Sequence, residues 1–346
     1  MRYSSENTLP SGTAIKDVRE LISLLGYRKT GTLSDPEYGR FEEYWFFDET
    51  DYRSWSGVEL SISPRADRSI IVSTRSPLGR SYHDLVLQNK TISLIRRRFG
   101  GTFITDEGTG RYLRPGAPAP PPAASRSFLA FSRFGGNLTK AMMYIDARSF
   151  PKQPWDKNPK LGFLLETDPR TLSNNLLVPF LVASLEDYFK STFVALLRYS
   201  PKRETFFKSI RLSGEHLLAI ADGAVSVEGA TAEILPFQRI SAVCRHFDAL
   251  DPKLDLAGAL RKPYHRRAES LFDEIERLVL SRHDFIHRAA LDLTLTDERI
   301  KDLIYDLEAA VTRCYCRITR HYGWFFERTW FLGKRGSRNA HISGEA

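Results

Sequence analysis

Arg282, His283, Asp284 and His287 fall within six consecutive residues of this chain. Imidazole donates and accepts protons near neutral pH, because its unperturbed pKa is about 6.5. Guanidinium stays charged and presents a planar fork of N–H donors that matches the oxygens of an oxyanion. The pair therefore supplies a proton shuttle and a fixed positive charge, two of the ingredients of transfer at an anionic centre. A different chemistry is open to the same residues. His283 and His287 stand one helical turn apart, and with Asp284 they form a candidate metal-ligand set of three, with no fourth ligand in sight.

The element that must carry them is a long amphipathic run over residues 264–290. Leu271, Ile275, Leu278, Phe285, Ile286 and Ala289 recur there at helical spacing. At about 100° per residue, Arg282 falls inside that apolar stripe, and His287 lies roughly 140° further round, at its edge. A charge in an apolar stripe must be paired, meet a polar ligand or sit at an interface, because an unpaired buried charge is very costly. Glu186 or Asp187 could pair with Arg282 inside the fold.

Arg282-x-x-x-x-His287, with His283 following the Arg, resembles the R-x(4–6)-H signature of HEPN domains. These are small helical bundles, many of which are metal-independent ribonucleases. The order of helices around the motif is also similar to the family's, over residues 173–324. What the resemblance implies is RNA cleavage without a metal or other cofactor. The 2′-hydroxyl beside the scissile phosphate attacks, a histidine moves protons at the 2′-hydroxyl or the leaving 5′-oxygen, and an arginine holds the charge that develops on the phosphoryl oxygens. It implies a two-fold homodimer in which both motif helices meet, with Arg282 pointing across the interface. His287 and Arg282 would be catalytic. His283 would orient His287 or contact phosphate, and Glu186 is similar in placement to an acidic residue that orients the site in some members. The family's usual setting implies a cytoplasmic prokaryotic protein of anti-phage defence or toxin-like type, whose first domain senses a trigger or docks a partner. Two other classes remain open: a non-catalytic module that dimerises or binds nucleotide or RNA, and a metal-dependent phosphohydrolase.

The chain has 346 residues, 42% hydrophobic and 27% charged, which suits two or three soluble globular domains. No apolar run approaches the ~20 residues of a membrane span, and the polar start Met1-Arg2-Tyr3-Ser4 has no secretory h-region. Cys244, Cys314 and Cys316 are too few and too clustered for a disulfide framework, and read as reduced, buried thiols. The net charge of +8 fits a polyanionic partner. Basic residues cluster at Arg96-Arg97-Arg98, at Arg261-Lys262 with Arg266-Arg267, and at Lys334-Arg335 with Arg338. The second cluster, just upstream of the motif helix, is the one expected near nucleic-acid phosphates, together with Arg288. His216, His246, His265 and His321 read as structural or exposed. No Gly-rich loop ends in Lys-Ser/Thr, and there is no Gly-x-Ser-x-Gly elbow.

The periodicity predicts an α+β domain over residues 1–113: a helix at 13–26, strands at 41–47, 58–62 and 70–74, a helix at 85–99 and a short strand near 102–104. Tyr44, Trp45, Tyr52 and Trp55 are many aromatics for so small a unit; they read as half-buried sheet residues or a stacking platform. Residues 114–172 read as a Pro-rich linker and connecting segment, including an apolar patch at 161–165 and an amphipathic piece at 127–145, broken at Gly135-Gly136, whose home in the first domain or the second stays open. From 173 to 324 an antiparallel helix bundle is expected. Its first helix is capped by Asn175 with Pro179 in the first turn, and further helices lie at 204–221, 236–247, 264–290 and after Thr296. Residues 325–346 form a basic tail.

Overall fold

A computed structural model describes residues 3–35, 39–47, 56–77, 80–116, 118–150, 165–264 and 268–325. The chain divides into two compact units, Met1–Pro121 and Pro122–Ala346. Tyr52, Trp55, His265, Arg266, Arg267, the basic group at residues 334–338 and most of the 161–165 patch lie outside the described residues.

Among the described residues, the first unit has an antiparallel sheet of seven strands in the order β2-β3-β4-β5-β1-β6-β7. These are β1 (Tyr3–Leu9), β2 (Arg28–Asp35), β3 (Gly39–Phe46), β4 (Val58–Pro64), β5 (Ile70–Ser76), β6 (Thr102–Thr105) and β7 (Gly108–Thr109). Alternate residues of each strand face α1 (Ile15–Leu24) and α2 (Tyr82–Phe99). Leu9, Leu60, Ile62 and Val72 share one core with Val18 and Ile22 of α1 and Ile95 of α2. Each such side chain stabilises the unit by about 1.5–3 kcal/mol on burial. The expected helices and the three central strands are present. The central strand β1 and the edge strand β2 were not foreseen, because neither alternates in hydrophobicity. β1 points Ser5 and Asn7 inward, where the Ser5 hydroxyl bonds the Thr74 hydroxyl at 2.5 Å and the Asn7 amide N–H donates to the Ile92 carbonyl at 3.3 Å. Glu42 of β3 ties the sheet to α1: it accepts from Arg19 at 2.8 Å, Lys29 at 2.7 Å and Tyr44 at 2.9 Å.

The second unit is helical: α3 (Pro122–Ala147), α4 (Pro169–Tyr199), α5 (Arg203–Lys208), α6 (Gly214–Ala221), α7 (Val227–Glu233), α8 (Ile240–Leu250), α9 (Leu256–Arg261), α10 (Leu271–Arg288) and α11 (Asp297–His321). Within the expected segment 114–172, the amphipathic piece falls in this unit: residues 122–147 form α3, which packs on α4 and α11. Phe131 stacks on Tyr315 of α11 with centroids 4.4 Å apart. Gly135 and Gly136 do not break α3; their helix cost of about 1 kcal/mol each is outweighed by buried neighbours such as Phe134 and Leu138.

The start of α4 is also earlier than expected. Asp168 caps it, accepting from the Arg170 N–H at 2.8 Å, and Pro169 takes the first-turn position that fixed φ favours. Pro179 lies inside the helix, and Asn175 is an interior buried residue rather than a cap. The piece at 204–221 is two short helices, α5 and α6, separated by residues 209–213. The expected cap of α11 holds: Thr296 accepts from the Arg299 N–H at 3.2 Å. Cys244 and Cys314 are buried, with burial pushing the Cys244 thiol up to about 12 and Cys314 higher still, so neither is a reactive thiolate. Among the described residues, no helix is long and apolar enough to cross a membrane.

Candidate functional site

The motif helix begins on a capping box. Ser270 accepts from the Asp273 N–H at 3.3 Å, and the Asp273 carboxylate accepts from the Ser270 N–H at 3.2 Å. Its first half is core. Leu271, Phe272, Ile275, Leu278 and Val279 are buried, and the buried Glu274 joins α10 to α11 through Arg299 at 2.5 Å while also pairing with Arg277 at 3.0 Å.

After Val279 no residue of α10 is buried. This corrects the expectation of one continuous apolar stripe through Phe285, Ile286 and Ala289. Phe285 is only half-buried, Ile286 is 47% exposed and Ala289 is exposed, because the helix runs on past the interior of the unit. Arg282 still continues the line of Leu271, Ile275 and Leu278, but at a half-buried position where the core has ended.

What Arg282 meets there is α4. Glu186 of α4 is near enough for the arginine's charge to act on its carboxyl: burial raises the Glu186 pKa, and Arg282 opposes that rise. One Glu186 oxygen, Oε1, is buried with no hydrogen-bond partner. Asp187, the other candidate partner for Arg282, is instead paired with Arg133 at 3.2 Å. Glu186 opposite Arg282 and Asn175 opposite Asp292 make α4 and α10 antiparallel neighbours.

His283 and His287 face away from that contact. Both are exposed, and their rings lie 4.4 Å apart at 47°. Arg288 is 72% exposed and pairs with Asp284 at 3.4 Å. The arrangement thus sets two imidazoles and two arginines around one free helix end, with a carboxylate on the neighbouring helix. Among the described residues, no group of three or more His, Cys, Asp or Glu is arranged to hold a metal ion, His283, Asp284 and His287 included.

Arg261 and Lys262 do not join the group. They end α9 beside the start of α10, where the Arg261 guanidinium sits over the Phe272 ring at 4.3 Å and the Lys262 carbonyl accepts from Arg313 at 2.8 Å. Fifteen residues of helix separate Phe272 from His287, about 22 Å at 1.5 Å per residue. Of the remaining described histidines, His216 pairs with Ser213 at 2.7 Å, His246 with the Pro236 carbonyl at 3.1 Å and His321 with Asp251 at 2.7 Å, while the His83 ring meets the Tyr82 ring edge-on with centroids 5.5 Å apart.

Sequence reasoning missed the residues that fix where α10 ends. Ala289 closes the helix in the left-handed region, φ +51°, with its N–H on the Asp284 carbonyl. The following loop, residues 289–296, is then latched to α4. Asn175 donates to the Asp292 carbonyl at 3.1 Å and accepts from its N–H at 2.8 Å, and Asn174 donates to the Leu295 carbonyl at 2.7 Å. Arg148, at the C-terminal end of α3, bonds Asn174, Ser173 at 2.6 Å and Asp297 at 2.6 Å. Two adjacent asparagines in the interior of a helix, where the residue type is unfavourable, were the available signal. No protein-family model, no curated protein and no solved structure matches this chain.

Proposed function

We propose that the second unit is a HEPN-like, metal-independent endoribonuclease that acts as a homodimer. The observation that carries the reading is the end of α10: Arg282 and two histidines one turn apart lie outside the core, on a helix end whose following loop is hydrogen-bonded to α4. Histidines that served only the fold would have partners, as His216, His246 and His321 do; among the described residues His283 and His287 have only each other.

In this reading His287 exchanges a proton with the 2′-hydroxyl or the leaving 5′-oxygen, and His283 orients it or contacts phosphate. Arg282 holds the phosphoryl oxygens through its fork, and Glu186 fixes the guanidinium. Arg282 and His287 project about 140° apart around one helix, so a single copy does not close a pocket around one phosphate. A second copy supplies the missing wall. Exposed apolar residues lie on both helices, Leu280 and Ile286 on α10 and Leu172, Leu176 and Phe180 at helical spacing on α4. They suit burial in a two-fold interface. The same apolar residues favour the second reading, a module that dimerises through this face and binds RNA or nucleotide without cutting it.

The setting that follows is a cytoplasmic protein of defence or toxin-like type, its first unit sensing or docking. Purified protein incubated with RNA in EDTA separates the readings. Products ending in 2′,3′-cyclic phosphate support the ribonuclease. Intact RNA, bound or unbound, leaves the binding module.

A further inference from the structure

One face of the sheet in the first unit is covered by α1 and α2; the other carries a shallow cavity of about 530 Å³ among the described residues. Strand alternation puts Phe41, Glu43 and Trp45 of β3 on that face, beside Glu59 of β4, Arg75 of β5 and Glu6 of β1. The sign of the lining is opposite to that of the chain. Three carboxylates face one arginine, and Arg75 is already paired with Glu59 at 2.7 Å. Among the described residues, Glu6 and Glu43 have no ion-pair partner.

The aromatic wall is fixed rather than incidental. Gly57 approaches the Trp45 indole so closely that a Cβ there would lie 2.5 Å from it, and its φ of +75° is one that glycine adopts freely. Trp45 therefore lies against backbone, with Glu43 two residues away on the same face of β3 and Glu59 opposite it on β4; Glu6 stands further along the face, on β1. A cation over an aromatic face gains from the ring's quadrupole, and a neighbouring carboxylate adds a charge-assisted hydrogen bond. Guanidinium uses both better than ammonium does, because it is planar and weakly hydrated. A polyanion gains nothing from this acidic lining, which favours a cationic ligand over a stacked base.

We propose that this sheet face binds an arginine-bearing, extended segment of another protein, with guanidinium groups over Trp45 and paired to Glu43 and Glu6. The first unit is then a docking module for a basic protein partner, independent of what the second unit does to RNA.

The test uses the full chain and a fluorescein-labelled peptide, acetyl-Gly-Arg-Gly-Arg-Gly-amide, followed by anisotropy. Controls replace its arginines with glutamate or lysine, and a labelled oligouridine is titrated in parallel. The arginine peptide should bind saturably, the lysine peptide more weakly and the glutamate peptide not at all. The double variant Glu6→Gln/Glu43→Gln should weaken binding by about tenfold or more with an unchanged melting temperature, since two charged contacts are lost from exposed or half-buried positions. Absence of saturable binding overturns the proposal, as does equal affinity in the double variant. Oligouridine binding that disappears in Trp45→Ala would place RNA on this face and overturn it too. The peptide outcomes do not depend on whether the second unit cuts RNA.

Discussion

At the scale of single residues, the proposal makes Arg282 and His287 separable. His287 is exposed, so His287→Ala leaves the fold intact by circular dichroism and melting temperature. Arg282→Lys keeps the charge but loses the fork. If the guanidinium holds phosphate, turnover falls while stability changes by less than about 0.5 kcal/mol, the usual range for surface substitutions. A mainly structural pairing with Glu186 predicts the reverse, unchanged turnover and lost stability. A third residue reports on the first unit. Burial alone would raise the Glu42 carboxyl, but hydrogen bonds from Arg19, Lys29 and Tyr44 outweigh it and bring its pKa to about 2. A carboxyl depressed in the folded state contributes stability that is present above its unfolded pKa and is lost as pH falls through the folded value. Urea midpoints of the first unit's transition should therefore decline between about pH 4.5 and 2 more steeply in the wild type than in Glu42→Gln. Parallel curves would mean that the cluster is not formed in solution.

At the scale of elements, the sequence made legible whatever buries an apolar face on a regular period. α1, α2, β3, β4, β5 and α11 all do so, and Thr296 announced the last of them. It concealed what polar residues hold together. β1 turns Ser5 and Asn7 inward, and Gly135-Gly136 pass through α3 unbroken. The motif residues themselves were legible as types at a spacing. Their exposure was not, because the apolar period of α10 continues through Ile286 after the core has ended. The latch was hidden for a further reason: Asn174 and Asn175 bond a loop more than 115 positions away. Asn175→Ala strands the Asp292 backbone N–H and carbonyl. It should cost about 1–3 kcal/mol in urea unfolding, and it should lower RNA cleavage without touching substrate. Full stability in that variant would show that the loop holds itself.

At the scale of the whole molecule, the position of α3 decides where the chain can be cut. A fragment beginning at residue 172 discards Phe128, Phe131 and Phe134, which α11 and α4 need as their packing partners. That fragment should fail to fold, and one beginning at Pro122 should give a cooperative melt. A folded 172–346 fragment would mean that α3 is dispensable. Light scattering addresses assembly directly. The proposed active form is a dimer through the α4–α10 surface, so the full chain should scatter as a dimer at tens of micromolar, and Ile286→Glu, on an exposed position, should shift it toward monomer and reduce cleavage together. A monomeric wild type that cleaves RNA would remove the second copy from the account.

The central claim is that His287 transfers a proton in a reaction whose nucleophile belongs to the RNA. The most direct measurement is cleavage in EDTA of an end-labelled RNA, and of the same strand carrying one 2′-deoxynucleotide at the mapped cleavage position, by wild type and by His287→Ala. The account predicts cutting of the all-ribose strand by the wild type, none at the deoxy position, and a rate lower by about 10²–10⁴-fold in His287→Ala. Cutting at the deoxy position, or wild-type rates in His287→Ala, would contradict it.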